Sequence, residues 1–329
     1  MQPFTYTRPE TIDEAVGQAE GARYLAGGTD LMTLMKRDID TPERLIDIKR
    51  LPELDDTITS TGDGVEIGAL ATLSELERHP LITASYPALS GAAAIAATPQ
   101  LRNMATIGGN LLQRPRCWYY RSEEVTCWLN GGDTCYAREG ENQHHALFQP
   151  SPCVATHSSD PATALLALDA EVTVRGPGGE RTVPIGEFFA APEEERRRET
   201  TLGAGEIVTA IRLPAVAPNE RSTYRKAMDR KVWAFALVGV AARVVMDGDR
   251  VSEARLVLGG VAPVPWRVET AEAELVGTTL DAAAIDKAAE AALEGAIPLA
   301  KNGHKIPLAK ALVRNALEDL ASPGSGAPA

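Results

Sequence analysis

The sequence predicts an α+β protein: a two-part N-terminal domain, then a C-terminal antiparallel sheet with helices. Three features of the chain carry this prediction. Residues 1–50 interleave helix-like and strand-like runs, and a second mixed unit begins near residue 55. After Thr223 the order changes, with strand-like runs joined by a tight turn coming first and helix-like runs following. A chain of 329 residues is also too long for one small core, so two or three domains are expected. The expected boundaries are 1–54 and 55–218 for the two parts of the first domain, with an insertion at 114–155, then 222–321 for the C-terminal domain and 322–329 for a tail.

In chain order, the first helix starts at Thr11-Ile12-Asp13-Glu14, where Thr11 suits the N-cap and Glu14 the capping-box position. Ala22–Ala26 reads as a strand, Leu31–Met35 as a helix and Leu45–Ile48 as a strand. In the second part Val65–Ala69 is strand-like, while Leu73–Leu76 and Pro87–Ala97 read as helical. Pro87 falls in a first turn, where its missing N–H is tolerated. Residues 114–153 lack a period and are rich in Arg, Gly, Cys and aromatics, as expected of an ordered insertion held by something other than a regular core. Pattern returns with a helix at Ala162–Leu168 and a strand at Glu171–Val174, and residues 191–199 form a charged loop. Val238–Val245 and Ala254–Leu258 read as strands about a turn at Asp247-Gly248-Asp249. Ala271–Leu275, Ala282–Leu293 and Leu308–Leu320 read as helices, and the Pro-, Gly- and Ser-rich end reads as flexible.

Hydrophobic residues make up 44% and charged residues 24%, an ordinary globular profile, and the formal net charge is -12. That acidic balance argues against nucleic acid or an anionic membrane as the main partner. The Ala-rich apolar stretches are well below the ~20 residues a membrane span needs. The first residues show no basic segment followed by an apolar run, so synthesis and folding in the cytoplasm are expected, with export to the periplasm bound to a signal-bearing partner left open.

Two glycine turns could carry chemistry. In Leu25-Ala26-Gly27-Gly28-Thr29-Asp30-Leu31 a strand runs through two glycines into a helix, so N–H groups can converge on an anion such as a pyrophosphate. Asp30 suits an N-cap or a sugar-hydroxyl acceptor better than a phosphate contact, because like charges repel. Ala105-Thr106-Ile107-Gly108-Gly109-Asn110 is a second such turn, about eighty residues on. Alone, each reads as ordinary turn punctuation; together they could clamp the two phosphates of one dinucleotide. Neither matches the G-x-G-x-x-G fingerprint. Asp160, before Pro161 and a helix, is either a cap or a ligand, and Lys226 reads as a solvated charge. There is no Ser-His-Asp set, H-E-x-x-H or Walker motif.

The cysteines are the sharpest signal. Cys117, Cys127, Cys135 and Cys153 are the only four, and all lie within 37 consecutive residues. Four thiolates suit an iron–sulfur cluster, or an all-cysteine zinc site, although zinc sites usually pair cysteines as C-x2-4-C and no such pair occurs. Two disulfides are a third alternative, disfavoured in the cytoplasm. His144, His145 and His157 read as surface or packing groups, and Trp118, Tyr119, Tyr120 and Trp128 as shielding for the site.

Taken together, these segments resemble the FAD-binding subunits of the xanthine dehydrogenase and molybdenum hydroxylase family, over about residues 3–320. The resemblance is carried by 26–31, by Gln100–Leu111, by Ser159-Asp160, by Gly205-Glu206-Ile207-Val208 and by Leu258-Gly259-Gly260-Val261-Ala262. It implies a two-subdomain FAD-binding fold of the PCMH type followed by a C-terminal domain of the CO dehydrogenase flavoprotein type. About 40 residues containing every cysteine stand where most family members have a short loop. That departure resembles the subgroup with an additional [4Fe–4S] cluster, and the wording around it is closest to the bacterial aldehyde oxidoreductases. The resemblance implies that Leu25, Ala26, Gly27, Gly28, Thr29, Asp30 and Leu31, with Thr106, Gly108, Gly109 and Asn110, hold the FAD pyrophosphate and ribose. It implies a flavin or ribitol contact for Asp160, and places Val208 and Lys226 near the isoalloxazine or adenine end. Cys117, Cys127, Cys135 and Cys153 would ligate the cluster, beside the flavin and at the subunit's edge. The implied partners are a molybdopterin-binding large subunit, a small [2Fe–2S] subunit and an external electron acceptor. The alternative is a zinc-stabilised dinucleotide-binding protein with no redox role.

Overall fold

The computed structural model describes residues 1–322, so the expected tail lies, from residue 323 on, outside the described residues. The chain forms three sheets. The first unit holds β1 (Thr5–Thr7), α1 (Ile12–Gly17), β2 (Ala22–Leu25), α2 (Leu31–Lys36) and β3 (Arg44–Asp47). Its strands are parallel in the order β1-β3-β2, over a small core that includes Ile12, Ala15 and Ile46. Thr11 caps α1, its hydroxyl accepting from Glu14 N–H at 3.1 Å. The reciprocal half of the expected capping box is displaced: the Glu14 carboxylate accepts from Glu10 N–H instead. A complete capping box occurs at Thr72 and Glu75.

The second unit comprises β4 (Ile58–Thr61), β5 (Gly64–Gly68), α3 (Leu73–Arg78), α4 (Pro80–Ser85), α5 (Pro87–Ala94), α6 (Pro99–Arg102), α7 (Ile107–Leu111), α8 (Asp160–Ala167), β6 (Glu171–Gly176), β7 (Gly179–Pro184), α9 (Ile185–Phe188) and β8 (Ile207–Pro214). Its antiparallel sheet runs β4-β5-β8-β6-β7, and the helices cover it with a core rich in Ala and Leu. Prolines open α4, α5 and α6, where a missing N–H costs no hydrogen bond.

The third unit holds β9 (Glu220–Ala227), β10 (Val238–Asp247), β11 (Arg250–Gly259), β12 (Trp266–Arg267), α10 (Glu269–Leu275), α11 (Ala282–Ala291) and α12 (Lys305–Ala321). The sheet is antiparallel, β12-β11-β10-β9, with helices packed against it. Asp247 pairs with Arg250 across a two-residue turn in which Gly248 has φ of 62°. β9 was not legible as a strand because its sequence, ERSTYRKA, is mostly polar. Ser222 and Tyr224 point inward, while Arg221 and Arg225 reach α12, donating to Leu320 O and the Asp319 carboxylate.

Between α7 and α8 the insertion contains one 3-10 turn, Trp128–Asn130, and no other helix or strand. It is held at both ends of the molecule. Leu147 and Phe148 enter the C-terminal core, their N–H groups donate to Val261 O, and Phe148 stacks on Trp266 at 4.8 Å. Elsewhere Arg114 pairs with the buried Glu199, and Arg197 lies over the Trp128 ring while donating to Trp128 O.

Candidate functional site

The two glycine turns meet. A Cβ on Gly27 would stand 1.9 Å from Met104 O, so only a glycine lets the first turn rest on the backbone leading into the second. Gly28 has φ of 70°, a left-handed conformation that suits glycine. The turns differ in what they offer a ligand. In the second, Ile107 N–H donates to Ala71 O, Gly108 N–H to Ala69 O, Gly109 N–H to the Thr106 hydroxyl and Asn110 N–H to Thr106 O. Its amides are therefore taken up within the protein, and converging N–H groups, the feature expected of such a turn, are not available there. In the first turn, no hydrogen bond within the described residues takes up the N–H groups of Gly28, Thr29 and Asp30.

Both turns border a cavity of about 910 Å³, a size suited to a large cofactor. Thr29 lines it from the first turn, Ala105 and Asn110 from the second, and Asp160, Lys226 and the segment Trp233–Leu237 from the far side. Leu25, Ala26, Gly27, Gly28, Asp30, Leu31, Thr106, Gly108 and Gly109 stand behind this wall and do not line it. Val208 is farther away: it pairs with Val174 in the five-stranded sheet, is 4% exposed and packs in the core.

Asp160 and Lys226 are brought together. Ser159, not Asp160, caps α8, its hydroxyl accepting from Ala162 N–H, and it also donates to the Asn110 side-chain carbonyl, tying the second turn to α8. Asp160 is the first residue of the helix. Its carboxylate accepts from Lys226 Nζ at 2.8 Å and from the Tyr224 hydroxyl at 2.7 Å. The Lys226 side chain is 1% exposed, so it is a buried ion-pair member and not the solvated charge its sequence context suggests. Burial, then the Asp160 charge, drives the Tyr224 hydroxyl well above its ordinary pKa, so it stays protonated and donates.

Asp30 gives no side-chain cap to α2. It turns to the insertion instead, with Oδ1 2.7 Å from Arg116 and 2.8 Å from Arg121 while Oδ2 accepts from Arg114 N–H. Arg116 lines the cavity, and burial lowers its pKa to about 10, still a cation at neutral pH. These arginines were not singled out from sequence; the run Arg114-Pro115-Arg116 directly before Cys117 is the signal that could have found them.

The four cysteines are unpaired and gather in one small core with Leu34, Tyr120, Trp128, Leu129 and Ala155. Cys127 and Cys153 are buried in it, and Cys117 and Cys135 are half-buried against it. Among the described residues no three His, Cys, Asp or Glu side chains stand close enough to hold a single metal ion. Burial pushes the Cys117 thiol up to about 11 and raises Cys127. The neighbouring Cys153 thiol pulls the Cys135 thiol down. Cys117 also lines the cavity, so the sulfur site and the cavity share a wall. His145 Nε2 lies 3.2 Å from Cys117 Sγ, and its pKa is pushed down to about 4 by burial and then by Lys305 and His144. The packing role read from sequence for His145 therefore misses a polar contact with a cysteine.

With this geometry in view, comparison with known proteins is informative. Residues 2–216 match the model of the FAD binding domain in molybdopterin dehydrogenase, and residues 222–320 that of the CO dehydrogenase flavoprotein C-terminal domain. The chain is similar to the aldehyde oxidoreductase FAD-binding subunit PaoB of Escherichia coli, 39% identical over 97% of this chain and 98% of that protein. It is also similar to the carbon monoxide dehydrogenase medium chain of Hydrogenophaga pseudoflava, 33% identical over 88% of this chain and 86% of that one. The solved carbon monoxide dehydrogenase of the same organism has a chain that superposes with a TM-score of 0.76 at 31% identity, covering 97% of this chain and 98% of that one.

Proposed function

The chain belongs to the family of FAD-binding subunits of molybdenum hydroxylases, and from that premise we propose that it relays electrons within an aldehyde-oxidising complex and carries a [4Fe–4S] cluster beside its FAD. In this reading a molybdopterin-binding large subunit oxidises the substrate, a small [2Fe–2S] subunit brings the electrons to this chain, and an external acceptor removes them. The relatives named as an aldehyde oxidoreductase FAD-binding subunit and a carbon monoxide dehydrogenase medium chain support membership of such an assembly. FAD, when bound, supplies a two-electron store.

The protein's own groups set the cofactor's place. The first glycine turn brings Thr29, whose N–H is not taken up within the described residues, to the cavity wall for the pyrophosphate, and Arg116, paired with Asp30, adds a positive charge on the same wall. The second turn buttresses the first through Met104 and contributes the Asn110 side chain. Asp160, clamped by Tyr224 and Lys226, offers a carboxylate of fixed orientation to a ribitol or flavin donor.

The observation that carries the proposal is the shared wall: Cys117 borders the same cavity as Thr29, Asn110 and Asp160, and the other three cysteines gather behind it. Four thiolates in one small core match the ligand count of a polynuclear cluster, in which the sulfurs bind different irons. Anaerobic purification followed by iron, sulfide, zinc and flavin assays tests this. We expect iron and sulfide at four per chain, as the formula of the cluster requires, with one FAD; Cys127→Ser should lose the iron while keeping flavin. Stoichiometric zinc in a colourless protein would sink the proposal.

A further inference from the structure

We propose that His145 donates its Nε2–H to the Cys117 sulfur and thereby sets the reduction potential of the cluster that the four cysteines hold; this rests on the cluster reading given above. Nε2 lies 3.2 Å from Cys117 Sγ, within hydrogen-bonding reach of sulfur. A metal-bound thiolate has no proton to offer, so the approach is favourable only if the imidazole supplies one. Nδ1 makes no hydrogen bond, so nothing holds the proton on the other nitrogen.

The ring is held in place from outside the insertion. The His145 carbonyl accepts from Lys305 Nζ at 3.0 Å and from the Asn302 side chain at 3.1 Å, both beyond the C-terminal sheet. Its N–H donates to Asn142 O, and the Trp118 ring stands edge-on at 5.4 Å. His145 is 2% exposed, so water does not compete for the sulfur. An N–H donated to a cluster sulfur stabilises negative charge there. The reduced cluster carries one more electron, so the bond favours reduction and raises the potential. His145 and Cys117 both line the cavity, which puts this bond on the side facing the flavin.

The test is an EPR-monitored redox titration of the cluster in the assembled complex, with iron content measured alongside. His145→Phe keeps a flat ring without an N–H and should shift the cluster potential downward. His145→Gln retains an N–H donor and should restore most of the shift. Pulsed EPR of the reduced wild-type cluster should show weak coupling to an imidazole nitrogen that is lost in both variants. Iron-loaded variants with unchanged potential, or a wild-type cluster without the nitrogen coupling, would overturn the proposal while leaving the cluster reading intact. A wild-type protein without iron would overturn the cluster reading, and this inference with it.

Discussion

Replacing the Gly27 hydrogen with a methyl group would set a carbon 1.9 Å from Met104 O, so Gly27→Ala should force the two turns apart. We expect a loss of about 1–3 kcal/mol, the usual cost of overpacking, and weaker FAD retention on gel filtration. Asp160→Asn leaves the Lys226 charge buried without its partner and should cost about 3–5 kcal/mol in urea unfolding. Adding Lys226→Met to that variant should recover part of the loss, because the stranded charge is gone. His157 is buried, and burial lowers its pKa from 6.5 to about 4. The unfolded chain therefore holds the proton between those values while the folded one does not, and stability should fall as pH drops from 6.5 to 4, by about 3 kcal/mol at the lower end. His157→Gln should flatten that part of the urea-midpoint profile. Residue types were legible in the sequence, but their partners were not. Nothing local to Lys226 or Asp160 in the chain, 66 positions apart, signals their pairing.

At the scale of elements, Asp30 joins the first glycine turn to the insertion through Arg114, Arg116 and Arg121. Asp30→Ala should remove all three links. We expect limited proteolysis to cut first between residues 121 and 135, while circular dichroism of the sheets stays unchanged; cleavage first in β4 or β7 would refute this. Strands and helices with apolar period showed in the sequence, among them β5, α3, β10 and β11. Most of those that escaped were short or polar: β1 and β4 have one face in solvent, and β9 is coated with arginines that pair with α12; β8 (IVTAIRLP) also escaped although it is long and largely apolar. The insertion has no period because its local backbone bonds form separate turns, such as Arg121 N–H to Cys117 O and Gly132 N–H to Cys127 O, and no continuous helix or strand. Other bonds of its backbone run to Val261 and to the Asp30 side chain, far along the chain, which no window of sequence displays.

At the scale of the whole molecule, the insertion touches every unit, with Leu34 of α2 in the cysteine core, Glu199 against Arg114, and Leu147 and Phe148 in the C-terminal core. It thus acts as a fastener between domains. If the cysteines hold the proposed cluster, its loss should lower cooperativity across the molecule, visible as two calorimetric transitions in Cys127→Ser where the loaded protein shows one. The fastener also has a history in time. Lys305, which secures the His145 backbone, follows it by 160 residues. At about 5–20 residues per second, the ribosome makes it roughly 8–32 s after His145. Until then the His145 backbone lacks this anchor, and its ring is not fixed against Cys117. Chains stalled before residue 305 should leave Cys117 more open to alkylating reagents than completed chains do. Delivery of the proposed cluster would then have a deadline set by translation.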